Sequence, residues 1–455
     1  MRRRDGNMIV SVPAGKGQTE IIQQAIDQCF LAGGGEVWLE SGEHESGGVR
    51  LRSRVTLRLK KDALWRGVRD PEMYMGFLKD DIEPLHAEDI RPCSWIASGQ
   101  RDSGYIAPIT VAGSRWNNGL IRLIRAKDAA VIGEEGSVID GCDPYDEKGE
   151  ENYRGPHGIS AYDCENLHFS GYTIQNTGNW AHAIHYSRNL VFENITAIAG
   201  HDGIHVTCCE NVDIHDCEFY TGDDCVAGFS NLNVTVRRCE INTACSAFRF
   251  GGTNVYIEDC HLFGPARYVF RGSLTKEEKI AGAHPKKDEG GKHRFNMLSA
   301  FTYYSDFSVE VPNRPGNIVM RRCRIENADR FLHFNFSGNE PWQRNRPLTQ
   351  IAFEEIDATG VSMPLTAYGD EKEPLDLRIA DSRIEFDQGA DVPLMHLANC
   401  SRVELKRLTI RRPGVSPWIR AWGDQVHVEI SDVDCGEEQE ISVTEADGPF
   451  VCRPI

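Results

Sequence analysis

Between residues 157 and 260 apolar and polar side chains alternate in short runs such as NVDIHDC, NVTVRRC and NVYIEDC, which begin at Asn211, Asn233 and Asn254. A period of two marks strands with one face buried and one exposed. The Asn-apolar start recurs at Asn166, Asn189, Asn211, Asn233 and Asn254, at intervals of 23, 22, 22 and 21. Near-equal repeats of this length, without amphipathic helices between them, predict an all-β fold: a right-handed parallel β-helix with one repeat per coil. Six residues after the repeat Asn stand Tyr172, Ile195, Cys217, Cys239 and Cys260, and Cys323 follows Asn317 by the same count. Like positions on successive coils stack, so this column of small apolar cysteines reads as interior packing.

The ends and the interruptions follow from the same pattern. TEIIQQAIDQCF carries helical spacing at Ile21, Ile22, Ala25, Ile26 and Cys29 and stops at Gly33-Gly34-Gly35, which predicts an amphipathic α-helix, within about 15–35, capping the open N-terminal end of the solenoid. Residues 272–312 break the period, are rich in Lys, Glu and Gly, and read as an inserted loop on one face. Weaker strand patterns continue over 313–445, so the chain is expected to form one β-helix domain over 1–455.

Composition narrows the function. A net charge of −18 disfavours nucleic acid and anionic membrane as partners. The start MRRRDGNMIVSV lacks the apolar core of a secretory signal, and no run of about 18 apolar residues suggests a membrane span, so a cytoplasmic protein is expected. The 15 cysteines show no zinc spacing, and no metal or cofactor is expected.

Counting nine back from each repeat Asn gives His157, Trp180, Asp202, Asp224 and Cys245; one position earlier stand Pro156, Asn179, His201, Asp223 and Ala244. Asp202, Asp223 and Asp224 therefore meet on two neighbouring coils, where like charge and desolvation would raise at least one pKa. Glycoside cleavage needs one protonated and one ionised carboxyl. The competing reading is a polar turn. Four before the Asn, an outward column is expected to hold Tyr162, His185, Thr207, Phe229 and Phe250, and six before it His205 and Phe248, a platform for sugar faces. Arg249 falls in an otherwise apolar column of Ala161, Ile184, Val206 and Gly228, which implies pairing with an acid or with ligand. The candidate substrate contacts are His157, Trp180, His182, His185, His201, His205, Phe229, Arg249, Phe250 and Arg271.

The run from Asn176 to Ala227, with TEIIQQAIDQCFLAGGGEVWLESGEHESGGVR upstream and GSVIDG at 136–141, resembles the polygalacturonase-like hydrolases of glycoside hydrolase family 28 over about residues 15–275. The family's Gly-Asp-Asp is intact at Gly222-Asp223-Asp224, and its Asn-Thr-Asp keeps only the Asp in Gly200-His201-Asp202. The resemblance implies inversion, with Asp223 as general acid and Asp202 and Asp224 holding the water. Two motifs depart. Gly-His-Gly has become Ala244-Cys245-Ser246, and near the expected Arg-Ile-Lys the chain reads RYVFRGS, with Arg267 and Arg271. Those basic residues grip a uronate in the family, so their loss predicts a changed leaving-group subsite. The expected function is hydrolysis of pectin-type or related oligosaccharides from a chain end. Transglycosylation or lyase chemistry, or a non-catalytic glycan-binding solenoid, are the competing classes.

Overall fold

The computed structural model describes residues 2–4, 7–74, 118–287, 290–305, 315–337, 340–343, 345–387, 392–412, 418–436 and 441–445. Arg2–Arg4 runs antiparallel to Asn7–Val12, and the other strand pairings are parallel, each strand meeting its counterpart one repeat later. One ladder runs through His157–Tyr162, His182–His185 and Ile204–Thr207 and continues in the first part of Val226–Arg237 and of Ser246–Glu258. A second carries the repeat asparagines through Glu165–Ser170, Arg188–Glu193 and Glu210–His215. A third runs through Thr173–Gln175, Thr196–Ala199, Glu218–Thr221 and Glu240–Thr243. This is the all-β parallel solenoid that the repeats predict.

The alternation buries one face of every strand. Phe169 stacks on Phe192 at 4.9 Å between ring centres, and Val212, Ile214, Val234 and Val236 continue the same interior. Cys217, Cys239, Cys260 and Cys323 are all buried, and the thirteen cysteines of the described residues are free thiols. The predicted helix forms over Thr19–Leu31 and packs Ile22, Ala25, Ile26 and Cys29 into the core; Ile21, expected on that face, is exposed.

The repeat Asn has a specific physical cause. Asn166, Asn189, Asn211, Asn233, Asn254 and Asn317 all hold φ between 53° and 57°, the left-handed region in which Asn is favoured among side-chain-bearing residues. Their amides form a chain across the coils: Nδ2 of Asn189, Asn211, Asn233 and Asn254 donates to Oδ1 of the preceding Asn at 2.9–3.1 Å, and Asn166 donates to Asp128 at 2.7 Å. Asn233→Ala loses both the conformation and the ladder and is expected to cost about 1–3 kcal/mol, whereas Asn233→Gly keeps the backbone conformation and costs less. Urea denaturation of the two variants checks the order; an alanine at least as stable as the glycine contradicts it.

The inserted segment is shorter than expected. Met297–Tyr303 is a regular strand of the first ladder, paired with Ser246–Glu258 and with Ala328–Asn335, so the interruption ends before it. Residues 306–314, the end of the expected loop, lie outside the described residues. Within the insertion Lys276–Ala281 forms a short helix with a capping box from Thr275 and Glu278. It is tied to the body by Lys276 to Glu147 at 2.8 Å and by Arg69 donating to the Ile280 carbonyl at 2.6 Å.

Candidate active site

Asp202 lies just before Ile204–Thr207, and Asp223 and Asp224 just before the next coil's strand, with Gly203 N donating to the Asp224 carbonyl at 3.0 Å. The turn that presents the pair is tightly built. Thr221 and Thr243 both donate their hydroxyls to the Asp223 carbonyl. A Cβ on Gly222 would sit 2.1 Å from the Val269 carbonyl oxygen, so only glycine fits there.

The three aspartates line one outer cavity of about 390 Å³, within the usual size of small-molecule sites, which runs from roughly 300 to 1,000 Å³. Its walls include Glu150, Glu151 and Arg154 before the first ladder strand, Phe270 just before the insertion, Arg294 within it, Tyr304, and Glu340, Trp342 and Gln343. Arg154 donates to Asp223 at 3.3 Å and also meets Glu151 at 3.1 Å and Asn179 at 3.3 Å. Asp224 accepts from Ser246 N at 3.0 Å and faces Arg249 at 3.6 Å. Asp202 accepts from His205 Nδ1 at 2.7 Å, and the His205 ring lies flat on Trp180 with centres 3.7 Å apart.

Burial, and then the charges of Asp223 and Asp224, raise the Asp202 carboxyl well above the usual carboxylate range. Asp224 is raised as well, by burial and then by Asp223. Burial, with Arg249 and Arg154 among the nearby charges, pushes His205 well below the usual histidine range, so its neutral ring donates Nδ1–H to Asp202. Such a cluster can hold a proton on one carboxyl while another stays ionised.

Counting back from Asn misassigns one strand. The register slips between Gly228 and Asn231, where Phe229 and Ser230 oppose Gly251 alone. This bulge absorbs the step of 21 and moves every residue of 244–250 by one place, which exchanges the two faces. Phe250 therefore points into the core beneath Gly228, Ser246 rather than Cys245 follows Asp224, and Arg249 joins the outward column of His205, Ala227, Thr302 and His333. Gly228 itself, at φ 139°, leaves 1.7 Å between a would-be Cβ and the Val206 oxygen.

Of the expected contacts, Trp180, His205 and Arg249 line the cavity. His182 does not: its side chain is inside the solenoid in register with Ile204, where Nε2 meets the Tyr172 hydroxyl at 2.8 Å and Nδ1 the Gly203 carbonyl at 3.1 Å. His157 and His185 pack behind the wall against Trp180, at 5.3 and 6.3 Å between ring centres. His201 is buried against Tyr153. Phe229 is covered edge-on by Tyr304 at 4.9 Å. Arg271 is buried in an ion pair with Asp143 at 2.6 Å, and Arg267 stacks over Tyr220 at 4.2 Å; neither lines the cavity. The residues missed by the sequence reading, Arg154, Arg294, Tyr304, His333, Trp342 and Gln343, come from segments without the strand period or from the weakly patterned later coils.

Asp223, Asp224 and Cys245 bring one ligand atom each within 4.8 Å of the others, so a metal could be held there. The residues fit one poorly. Burial and then Asp224 and Asp223 hold the Cys245 thiol well above its usual range, and both carboxylates already face guanidinium groups.

The profile of Glycosyl hydrolases family 28 matches residues 105–246, which contain all three aspartates. A probable polygalacturonase from Vitis vinifera is 27% identical over 228 residues, 47% of this chain and 42% of that protein; the chain thus spans less than half the length of this relative. Among solved structures, the family 28 exopolygalacturonase of Yersinia enterocolitica superposes with a TM-score of 0.50 at 13% identity, covering 98% of this chain and 79% of that one. A mannuronan C-5 epimerase A-module from Azotobacter vinelandii does so with a TM-score of 0.50 at 11% identity, covering 95% and 96%. The two likenesses show the β-helix fold alone, and since one of these proteins is a hydrolase and the other an epimerase, the chemistry has to be argued from the coils that match the family 28 profile and from their cavity.

Proposed function

We propose that this protein is a cytoplasmic glycoside hydrolase acting on the end of pectin-type or related oligosaccharides by inversion. The observation that carries the reading is the meeting of Asp202, Asp223 and Asp224 in one cavity within the segment matching family 28. Asp223 protonates the leaving oxygen, while Asp202 and Asp224 orient the attacking water. His205 pins Asp202 through Nδ1–H, with Trp180 holding the imidazole flat. Walls on several sides of a cavity of about 390 Å³ favour a chain end over the middle of a long polymer. The vine relative's description as a probable polygalacturonase supports a pectin-type substrate.

One observation favours a second assignment within the same chemistry. Arg154 meets Asp223 at 3.3 Å, whereas burial and then Asp223 and Asp224 raise the Asp202 carboxyl well above the usual carboxylate range, which suits an exchange of the acid and water-side roles. Leaving-group dependence separates the two, as argued in the Discussion.

Substrate preference follows from the lost motifs. Of Arg249, Arg267 and Arg271, only Arg249 reaches the cavity, where it already faces Asp224, and of the other arginines in its walls Arg154 is paired with Asp223 and Glu151, while Arg294 lies on the Phe270 ring and donates to the Ala244 carbonyl. Polygalacturonate is therefore expected to have a kcat/KM at least about tenfold below that of an oligosaccharide with a neutral sugar at the leaving-group position, the difference one lost charge-assisted contact would make. Rates on both substrates with the wild type and Arg249→Ala test this. Efficient turnover of polygalacturonate that disappears in Arg249→Ala would show that the uronate clamp has moved to Arg249.

A further inference from the structure

Beyond the aspartates, on the coils that follow them, the cavity is lined by two buried side chains with polar atoms that have no hydrogen-bond partner among the described residues. His333, on the strand Ala328–Asn335, is 2% exposed, and neither of its ring nitrogens has a hydrogen-bond partner among the described residues. Gln343 is 1% exposed; its Oε1 accepts from Asn335 N at 2.6 Å, but its Nε2 has no partner among the described residues. Both line the cavity. Buried polar atoms in proteins are as a rule hydrogen-bonded, so two such groups lining one cavity point to a ligand that bonds them there.

Resting on the reading of this cavity as a glycan site, we propose that its C-terminal end is a subsite that takes one neutral pyranose by its hydroxyls, with His333 and Gln343 as the residues that read them. Burial, then Arg330 and Arg249, lowers the His333 ring to about 3, so it is neutral at ordinary pH and offers one N–H donor and one lone pair. A sugar hydroxyl both donates and accepts, which matches that pair, and the Gln343 amide N–H supplies a second donor. Tyr304 and Trp342 stand beside them and give the apolar surface that a pyranose C–H face covers. Arg249 is stacked on these rings, 4.6 Å from Tyr304 and 5.5 Å from Trp342, and is directed to Asp224. Glu340 lines the same wall, so a sugar carboxylate here would meet a like charge.

The test is direct binding of D-galactose, L-rhamnose, D-xylose and D-galacturonate to the full chain by titration calorimetry, with no turnover involved. At least one neutral sugar is expected to bind the wild type, at least fivefold more weakly to His333→Ala and to Gln343→Ala, with partial recovery in His333→Gln. Thermal melting identifies a variant that has failed to fold, in which case His333→Gln and Gln343→Ala decide. Binding by none of the sugars, tenfold tighter binding of galacturonate, or affinities indifferent to both positions would overturn the proposal. Failure of the hydrolase reading would show separately, as absence of cleavage with sugar binding intact.

Discussion

Asp223→Asn is expected to fold as the wild type does and to lose about a hundredfold to ten-thousandfold in kcat on an oligosaccharide with a poor leaving group, the range general acid catalysis contributes. The turn that holds residue 223 is fixed through its backbone carbonyl by Thr221 and Thr243, and those bonds survive the substitution. What is removed is the transferable proton. An aryl glycoside whose leaving group is stable without protonation should lose less than about tenfold, because the step the acid assists is no longer demanding. Asp202→Asn, by contrast, should be impaired on both substrates. If the activated substrate rescues Asp202→Asn and not Asp223→Asn, the two roles are exchanged, as the Arg154 contact to Asp223 would allow.

The second large effect concerns Arg271, a side chain expected from the sequence to be in the sugar site and found buried outside the cavity lining. Its guanidinium meets Asp143 at 2.6 Å, with side-chain exposures of 3% and 6%. Its methylenes fill the space beside Gly200, where a Cβ would lie 1.9 Å from Cδ. Removing one member of a buried pair leaves the other charge without compensation, so Arg271→Ala is expected to cost about 3–5 kcal/mol in urea unfolding. His284, at 3.6 Å, is a further basic neighbour of Asp143. Removing both charges in Arg271→Leu with Asp143→Leu should recover most of the loss. A single-variant cost below about 1 kcal/mol would show that the pair behaves like an exposed one.

The period of 22 was enough to find the solenoid and to stack Asp202 on Asp224, because a parallel ladder turns sequence spacing directly into spatial register. It failed where the spacing fell to 21. One bulge at Gly228–Asn231 inverted the faces of 244–250, sending Phe250 inward and Arg249 outward. His182 was misplaced for a simpler reason, since alternation puts it in the interior column with Ile204 and Val226. The cavity walls were not legible. Arg154 and Trp342 sit in connecting segments, where no periodicity fixes direction, and His333 lies in a coil with a weak strand pattern.

The central claim is that these three carboxylates cleave glycosidic bonds. It is tested most directly by incubating wild type and Asp223→Asn side by side with a panel of defined pectin-type oligosaccharides and following new reducing ends by NMR. The account predicts release of a terminal unit from at least one oligosaccharide by the wild type, with the rate reduced at least about a hundredfold in the variant. Cleavage by neither protein, equal rates for both, or an unsaturated product that marks elimination would contradict it.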